Sequence, residues 1–258
     1  MKKKILAILM VTAMFSACSM FVDCIDGNGE FETEVRDAVP FTAIANETSF
    51  HVNYVYGSEH AITVEAESNI LPYIETKISA GSLEIRALPG TLCLNYTRRP
   101  VVTVTAPSVS EIVNAGSGDF IADQLSGTEI RLVNSGSGDI TAGTITGSEV
   151  SIVVSGSGNV MTDDVTTNSM RATLSGSGDL TMKGDAVTSR FVVSGSGTIF
   201  GRYFTTETAN VTMSGSGSVY STVNDRLDAV ISGSGNIYLQ GDPVINLTRT
   251  GSGRIINL

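Results

Sequence analysis

The sequence predicts an all-β chain wound into a single-stranded parallel β-helix, right-handed by expectation, with coils of about 20 residues and an irregular β-rich N-terminal part. Three observations predict it. Gly-Ser-Gly recurs, beginning at Gly116, Gly136, Gly156, Gly176, Gly195, Gly215, Gly233 and Gly251, in steps of 20, 20, 20, 19, 20, 18 and 18 residues. Around that motif two columns of residues are apolar in every repeat. Finally, strand-type alternation rich in Val, Ile, Thr and Tyr runs along the chain, and no helical stripe follows the N-terminal segment.

The columns set the register. Four residues before the first Gly stand Ile112, Leu132, Ile152, Ala172, Phe191, Val211, Ala229 and Leu247. Two residues after the second Gly stand Phe120, Ile140, Val160, Leu180, Ile199, Val219, Ile237 and Ile255. A flexible linker would not keep such columns, whereas stacked coils turn each into an inward ladder with strands ~4.8 Å apart. The Ser-Gly-Ser-Gly between them is then a corner. Its glycines are expected to supply a positive φ and the room for a sharp turn, and its serines to bond to one another or to the backbone. Eight coils would make a rod of roughly 38 Å.

Taken in chain order, residues 1–17 read as an export signal: Lys2, Lys3 and Lys4 precede an apolar run from Ile5 to Phe15, too short to span a bilayer comfortably. Phe15-Ser16-Ala17-Cys18 resembles a bacterial lipobox, with Phe in place of the usual Leu. Cys18 is the expected lipidation site and the first residue of the mature protein, anchored by acyl chains in the outer membrane, on its periplasmic or surface face. Residues 18–34 read as a lipidated tether. Residues 35–110 carry strand patterns such as FHVNYVY (50–56), AITVEAE (61–67) and SLEIRAL (82–88), and read as irregular β coils or a cap. Residues 111–258 are the repeat. Cys24 lies in the tether and Cys93 in a strand-like run, so both read as unpaired or buried thiols, although an exported protein permits a bridge.

Charge excludes several functions. The net charge is −10, and loss of the three signal lysines takes the mature chain to −13 (−10 − 3). Such a chain has no basic face for nucleic acid and no attraction to anionic lipid. With His51 and His60 its only histidines and no Cys-x-x-Cys, it offers no zinc set. No cofactor is expected. Gly-x-Gly here is followed by a polar residue and a strand, not by the Lys and helix of a phosphate-binding loop. Two outward columns remain as candidates. Asp119 and Asp139, stacked one coil apart, would repel each other, which a cation could relieve or solvent could screen. Phe200, Tyr220 and Tyr238, with Met161 before and Ile256 after, stand three residues past the motif, opposite in parity to the inward ladder. They would form an aromatic strip for a glycan or protein partner, or serve only to stabilise the late coils.

The segment RDAVPFTAIAN (36–46), the block VVTVTAPSVSEIV (101–113) and the serial SGSGD units together resemble the putative auto-transporter adhesin, head GIN domain, a domain of unknown function common in Bacteroidetes lipoproteins. The resemblance spans residues 35–258. It implies a β-helical fold and an envelope location, with no catalytic residues and no defined ligand. Joined to the residue reading, it leads to a non-enzymatic cell-envelope lipoprotein with a β-helical binding or structural module. The alternative is a carbohydrate-active β-helix of the polysaccharide lyase or hydrolase kind, which would need a loop-built cleft and paired carboxylates. Oligomeric state is not readable from the sequence.

Overall fold

A computed structural model describes residues 24–258, so the signal and Cys18 lie outside the described residues. The repeat coils each consist of one long strand and one corner. The strands Phe120–Asn134, Ile140–Val154, Val160–Leu174, Leu180–Val193, Ile199–Met213 and Val219–Ile231 pair in parallel, each with the next. Phe120, Ile140, Val160, Leu180, Ile199, Val219 and Ile237 fall in one unbroken register column, and all seven are buried. The result is a parallel β-solenoid of about seven turns, one between each successive pair of the eight corners. Alternation along a strand breaks where consecutive residues face outward, at Asp123–Gln124 and Ser126–Glu129 in the first long strand. There the strand bends around the tube, which brings two further inward columns into the core, through Leu125, Ile145 and Val165 and through Ile130, Val150 and Met170.

The corners differ from expectation in one respect. None of the Ser-Gly-Ser-Gly glycines has a positive φ. Their requirement is space alone. A Cβ on Gly136 would lie 1.8 Å from the carbonyl oxygen of Gly116, one on Gly156 1.9 Å from that of Gly136, and one on Gly138 2.0 Å from that of Gly118. Corner carbonyls point along the rod, and each first-Gly carbonyl accepts N–H groups from the coil above: Gly116 O from Ser137 (3.0 Å) and Gly138 (3.3 Å), Gly136 O from Ser157 (3.1 Å) and Gly158 (3.2 Å). The corner is thus a continuation of the sheet ladder, and only glycine lets its backbone stack that closely. Positive φ appears instead at Gly184 (φ 117°), beside a register shift between Met161 and Val165. That irregularity falls within the 19-residue step and absorbs its missing residue.

The stack does not begin at the first Gly-Ser-Gly. Ala43–Asn46 runs parallel to Glu111–Asn114, and His51–Tyr56 parallel to the start of Phe120–Asn134. Beneath these, Ser82–Ala87 lies parallel to Ala43–Asn46, and Val101–Ala106 to His51–Tyr56. Two earlier coils therefore extend the rod, out of chain order. The corner between Ala43–Asn46 and His51–Tyr56 is Glu47-Thr48-Ser49-Phe50, held by buried Asn46, whose Oδ1 accepts from the Thr48 N–H and hydroxyl and whose Nδ2 donates to Phe50 O and Asn114 Oδ1. Pairing then turns antiparallel: Ala61–Glu67 against Val101–Ala106, Phe31–Arg36 against Ala61–Glu67, and Ile74–Ser79 against Ser82–Ala87. This closes the base of the stack. Phe31–Arg36 is left as an exposed strand bearing Glu32, Glu34 and Arg36, charges of the kind that blunt edge-to-edge association.

Three expectations are corrected here. Cys24 and Cys93 form a disulfide across 69 residues, next to a short parallel pairing of Ile25–Asp26 with Leu94–Asn95. The partners are distant in sequence, so no local pattern announces the bridge. Ile25–Asp26 and most of Phe31–Arg36, which fall within the expected tether of residues 18–34, are strands. Leu247, in an inward column, is 41% exposed because no coil stacks beyond Val244–Arg249, whose six residues are all exposed.

Buried Glu67 ties the N-terminal arm to this base. Its Oε1 accepts from the Gly29 N–H (2.8 Å) and the Thr97 hydroxyl (2.9 Å), and its Oε2 from the Thr97 N–H (3.1 Å). Burial pushes its pKa up, but these hydrogen bonds outweigh it and leave the carboxyl below its ordinary value. A depressed folded-state pKa adds stability above the unfolded-state value, and that stability is lost as pH falls through the folded value. Acid should therefore loosen residues 24–36 first. Amide protection factors in that arm, which correct for the slower intrinsic exchange in acid, should fall below the usual carboxylate range, and Glu67→Gln should show low protection already at neutral pH.

The corner geometry yields a second expectation. Gly156→Ala should lower unfolding free energy by about 2–3 kcal/mol, because the Cβ meets backbone that cannot yield. Gly127→Ala, whose Cβ meets the end of the Ile130 side chain at 3.3 Å and no backbone atom nearer than Glu129 O at 3.8 Å, should change it by under about 1 kcal/mol. Val160→Asp should cost several kcal/mol by burying an unpaired carboxylate. Chemical denaturation of the three variants decides, and equal effects for the two glycines would refute the stacking account.

Candidate functional site

The outward face just after each corner carries two parallel columns two residues apart. The first holds Asp119, Asp139, Asn159 and Asp179. Like charges stacked at strand spacing should repel, yet the structure gives each side chain a donor. Asp119 Oδ1 accepts from the Asp139 N–H (3.0 Å), Asp139 Oδ1 from the Asn159 N–H (2.7 Å), Asn159 Oδ1 from the Asp179 N–H (3.0 Å), and Asp179 Oδ1 from the Thr198 N–H (2.7 Å). One coil lower, His51 Nδ1 accepts from the Asp119 N–H (3.3 Å), so His51 occupies the same role. The column is thus a capping ladder that satisfies backbone donors as the chain leaves each corner. Among the described residues no three or more His, Cys, Asp or Glu side chains gather as metal ligands, and Asp119 and Asp139 are placed in this ladder.

The second column is Ile121, Thr141, Met161, Thr181, Phe200, Tyr220, Tyr238 and Ile256, each paired with the next across one strand spacing. The sequence places Phe200, Tyr220 and Tyr238 on the outer face, and the structure brings them together there. Phe200 and Tyr220 stack with centroids 5.5 Å apart at 19°, Tyr220 and Tyr238 at 4.4 Å and 9°. Phe200 is 41% exposed and the two tyrosines half-buried.

Stacking has a consequence that the sequence pattern does not show. Rings piled face to face along the rod cover one another, so the strip presents ring edges to solvent. One inner ring face stays open, that of Phe200 toward Thr181, since Thr181 is too short to cover it. A notch of about 250 Å³ opens there, lined by Asp139, Asn159, Met161, Asp179, Thr181 and Phe200 among others. A wider groove of about 510 Å³ sits at the base, between Leu92, Leu94 and Tyr96 and the first glycine corners. The sequence signal for the notch is a small residue, Thr181, directly below the run of rings, with Thr141 two rungs lower the other small residue of the column.

Fold and site together define a parallel β-solenoid with an aromatic ladder on one outer face. The chain belongs to the family described as putative auto-transporter adhesin, head GIN domain, which matches residues 40–243. Solved structures agree. A putative lipid binding protein from Parabacteroides distasonis superposes with a TM-score of 0.84 at 26% identity, covering 91% of this chain and 99% of that one. A putative adhesin from Parabacteroides merdae gives 0.83 at 22%, covering 92% and 99%. A putative adhesin from Bacteroides fragilis gives 0.70 at 18%, covering 91% and 100%. No curated protein matches the chain.

The ladder itself should contribute to stability. Tyr220 stacks on two rings and Tyr238 on one, at about 0.5–1.5 kcal/mol per aromatic pair beyond area burial. Tyr220→Ser should therefore lower the melting temperature more than Tyr238→Ser. The reverse order in a thermal melt would show that the rings do not act as a stack.

Proposed function

We propose that this chain is an exported envelope lipoprotein, anchored through Cys18 in the outer membrane, whose solenoid is a non-enzymatic binding module of adhesin type. Its contact surface is the face around Phe200, Tyr220 and Tyr238, and its partner is an uncharged glycan or a protein. The observation that carries the reading is the position of the aromatic ladder on the rod. Phe200 lies five strand spacings above the His51–Tyr56 strand and Tyr238 seven, roughly 24 to 34 Å along the axis. The Cys24–Cys93 bridge fastens the N-terminal arm at the opposite end, and the six residues from Cys18 to Cys24 reach at most about 20 Å. An anchor at Cys18 thus holds the base near the membrane and presents the ladder away from it.

Two further features support a binder over an enzyme. Every repeat corner keeps the same short Gly-Ser-Gly, whereas a polysaccharide-cleaving solenoid builds its cleft from inserted loops. Similar solved structures are described as putative adhesins or a putative lipid binding protein. The test has two parts. Mass spectrometry of the membrane-extracted protein should find Cys18 as the N-terminal, acylated residue, and an unmodified N-terminus elsewhere sinks the anchor. The full-length chain should bind members of a glycan and matrix-protein array. The Tyr220→Ser, Tyr238→Ser double variant, assayed at a temperature where it remains folded, should lose that binding by about tenfold or more. Undiminished binding rules this face out.

A further inference from the structure

We infer that the notch at Thr181 is a saccharide slot: a single neutral or amino-substituted pyranose ring inserts between Met161 and Phe200, with Asp179, on the same coil as Thr181, receiving a hydroxyl. The inference rests on the binding-module reading and names its ligand class and subsite.

Met161, Thr181 and Phe200 are consecutive rungs of one outward column, so Met161 and Phe200 belong to strands about 9.6 Å apart, two strand spacings. Above Phe200 the column is filled by stacked rings at 4.4 and 5.5 Å. At Thr181 one rung is empty of bulk. A flat ring entering there meets Phe200 at the spacing Tyr220 keeps on its other side, and it meets the Met161 side chain, 48% exposed, on the opposite face. The apolar face of a pyranose suits both contacts, since aromatic faces and soft thioethers favour C–H-rich surfaces.

The rim selects among flat rings. Asp179 is pre-positioned, because its Oδ1 is held by the Thr198 backbone N–H of the next coil, leaving Oδ2 outside that bond. An oriented acceptor beside an aromatic face matches a hydroxyl of a sugar. A phenylalanine or leucine side chain from a protein partner would cover the same carboxylate without giving it a donor, which costs free energy. An anionic sugar or a nucleotide would meet that charge, with Asp139 further down the column, on a chain whose net charge is already −10.

The test uses the full-length chain titrated with methyl galactoside, methyl glucoside, N-acetylglucosamine and glucosamine, with glucuronate as the anionic counterpart. At least one neutral or amino sugar should bind with a dissociation constant on the order of 1 mM, as befits so small a ligand in an open slot, and glucuronate should not. Titration should shift the Met161 methyl resonance. Thr181→Phe extends the ladder by one ring and fills the slot, so it should weaken sugar binding by about tenfold or more while leaving the melting temperature equal or higher. Phe200→Leu should weaken it similarly. Asp179→Asn keeps the capping bond, as Asn159 does, and should reduce affinity severalfold. If no sugar in the panel binds, or if Thr181→Phe binds as the parent does, the slot assignment is overturned. The binding-module reading survives either result provided that array binding still falls in the Tyr220→Ser, Tyr238→Ser variant, and fails separately if it does not.

Discussion

The rest of the structure depends on how closely one corner backbone can approach the corner below. Carbonyls at the Gly-Ser-Gly corners point along the rod and accept from the next coil, which brings a glycine Cα to where any Cβ would overlap oxygen. The close approach keeps the ladder continuous through the turn, and a continuous ladder keeps one register from coil to coil at the positions that flank each corner. Register in turn decides everything on the side-chain level. It stacks Ile140 on Val160 inside and Phe200 on Tyr220 outside, with the same period and for the same reason. Glycine here is a steric necessity rather than a source of flexibility.

The two ends of the rod are treated differently. At the base, pairing switches from parallel to antiparallel, the outermost strand carries charges, and a disulfide and a buried, fully hydrogen-bonded Glu67 hold the N-terminal arm in place. At the far end the final strands Val244–Arg249 and Ile255–Asn257 pair on one side only, with Val244, Ile245 and Leu247 exposed. The heavily fastened end is the one next to the expected anchor.

The outer face shows how a repeat acquires a site. Solenoid repeats differ little in backbone, so a local feature arises from a break in a side-chain column rather than from a special loop. The acidic column caps backbone donors in coil after coil, and beside it the column holds a threonine, Thr181, directly below the stacked rings. A short side chain between a ring face and a thioether, beside a carboxylate already held in place, is enough to make a recess with chemical character.

The sequence by itself determined the architecture of the repeat. A fixed period, two apolar columns and a polar one leave a stacked parallel coil as the consistent solution, and period-two parity alone puts Phe200, Tyr220 and Tyr238 outside. It could not determine what depends on contacts between distant segments. The coils formed by Ala43–Asn46 with His51–Tyr56 and by Ser82–Ala87 with Val101–Ala106 stack out of chain order and lack the glycine corner. The Cys24–Cys93 bridge joins residues 69 apart. The sequence allows two reasons for glycine at the corners, φ and room, and only the stacked structure decides for room, because the obstructing carbonyl belongs to another coil. The aromatic residues were legible as a column, but which ring face stays open depends on how side chains pile across strands, and only the tertiary structure sets that. Local pattern specifies which way a side chain points; what stands above and below it is a long-range property of the stack.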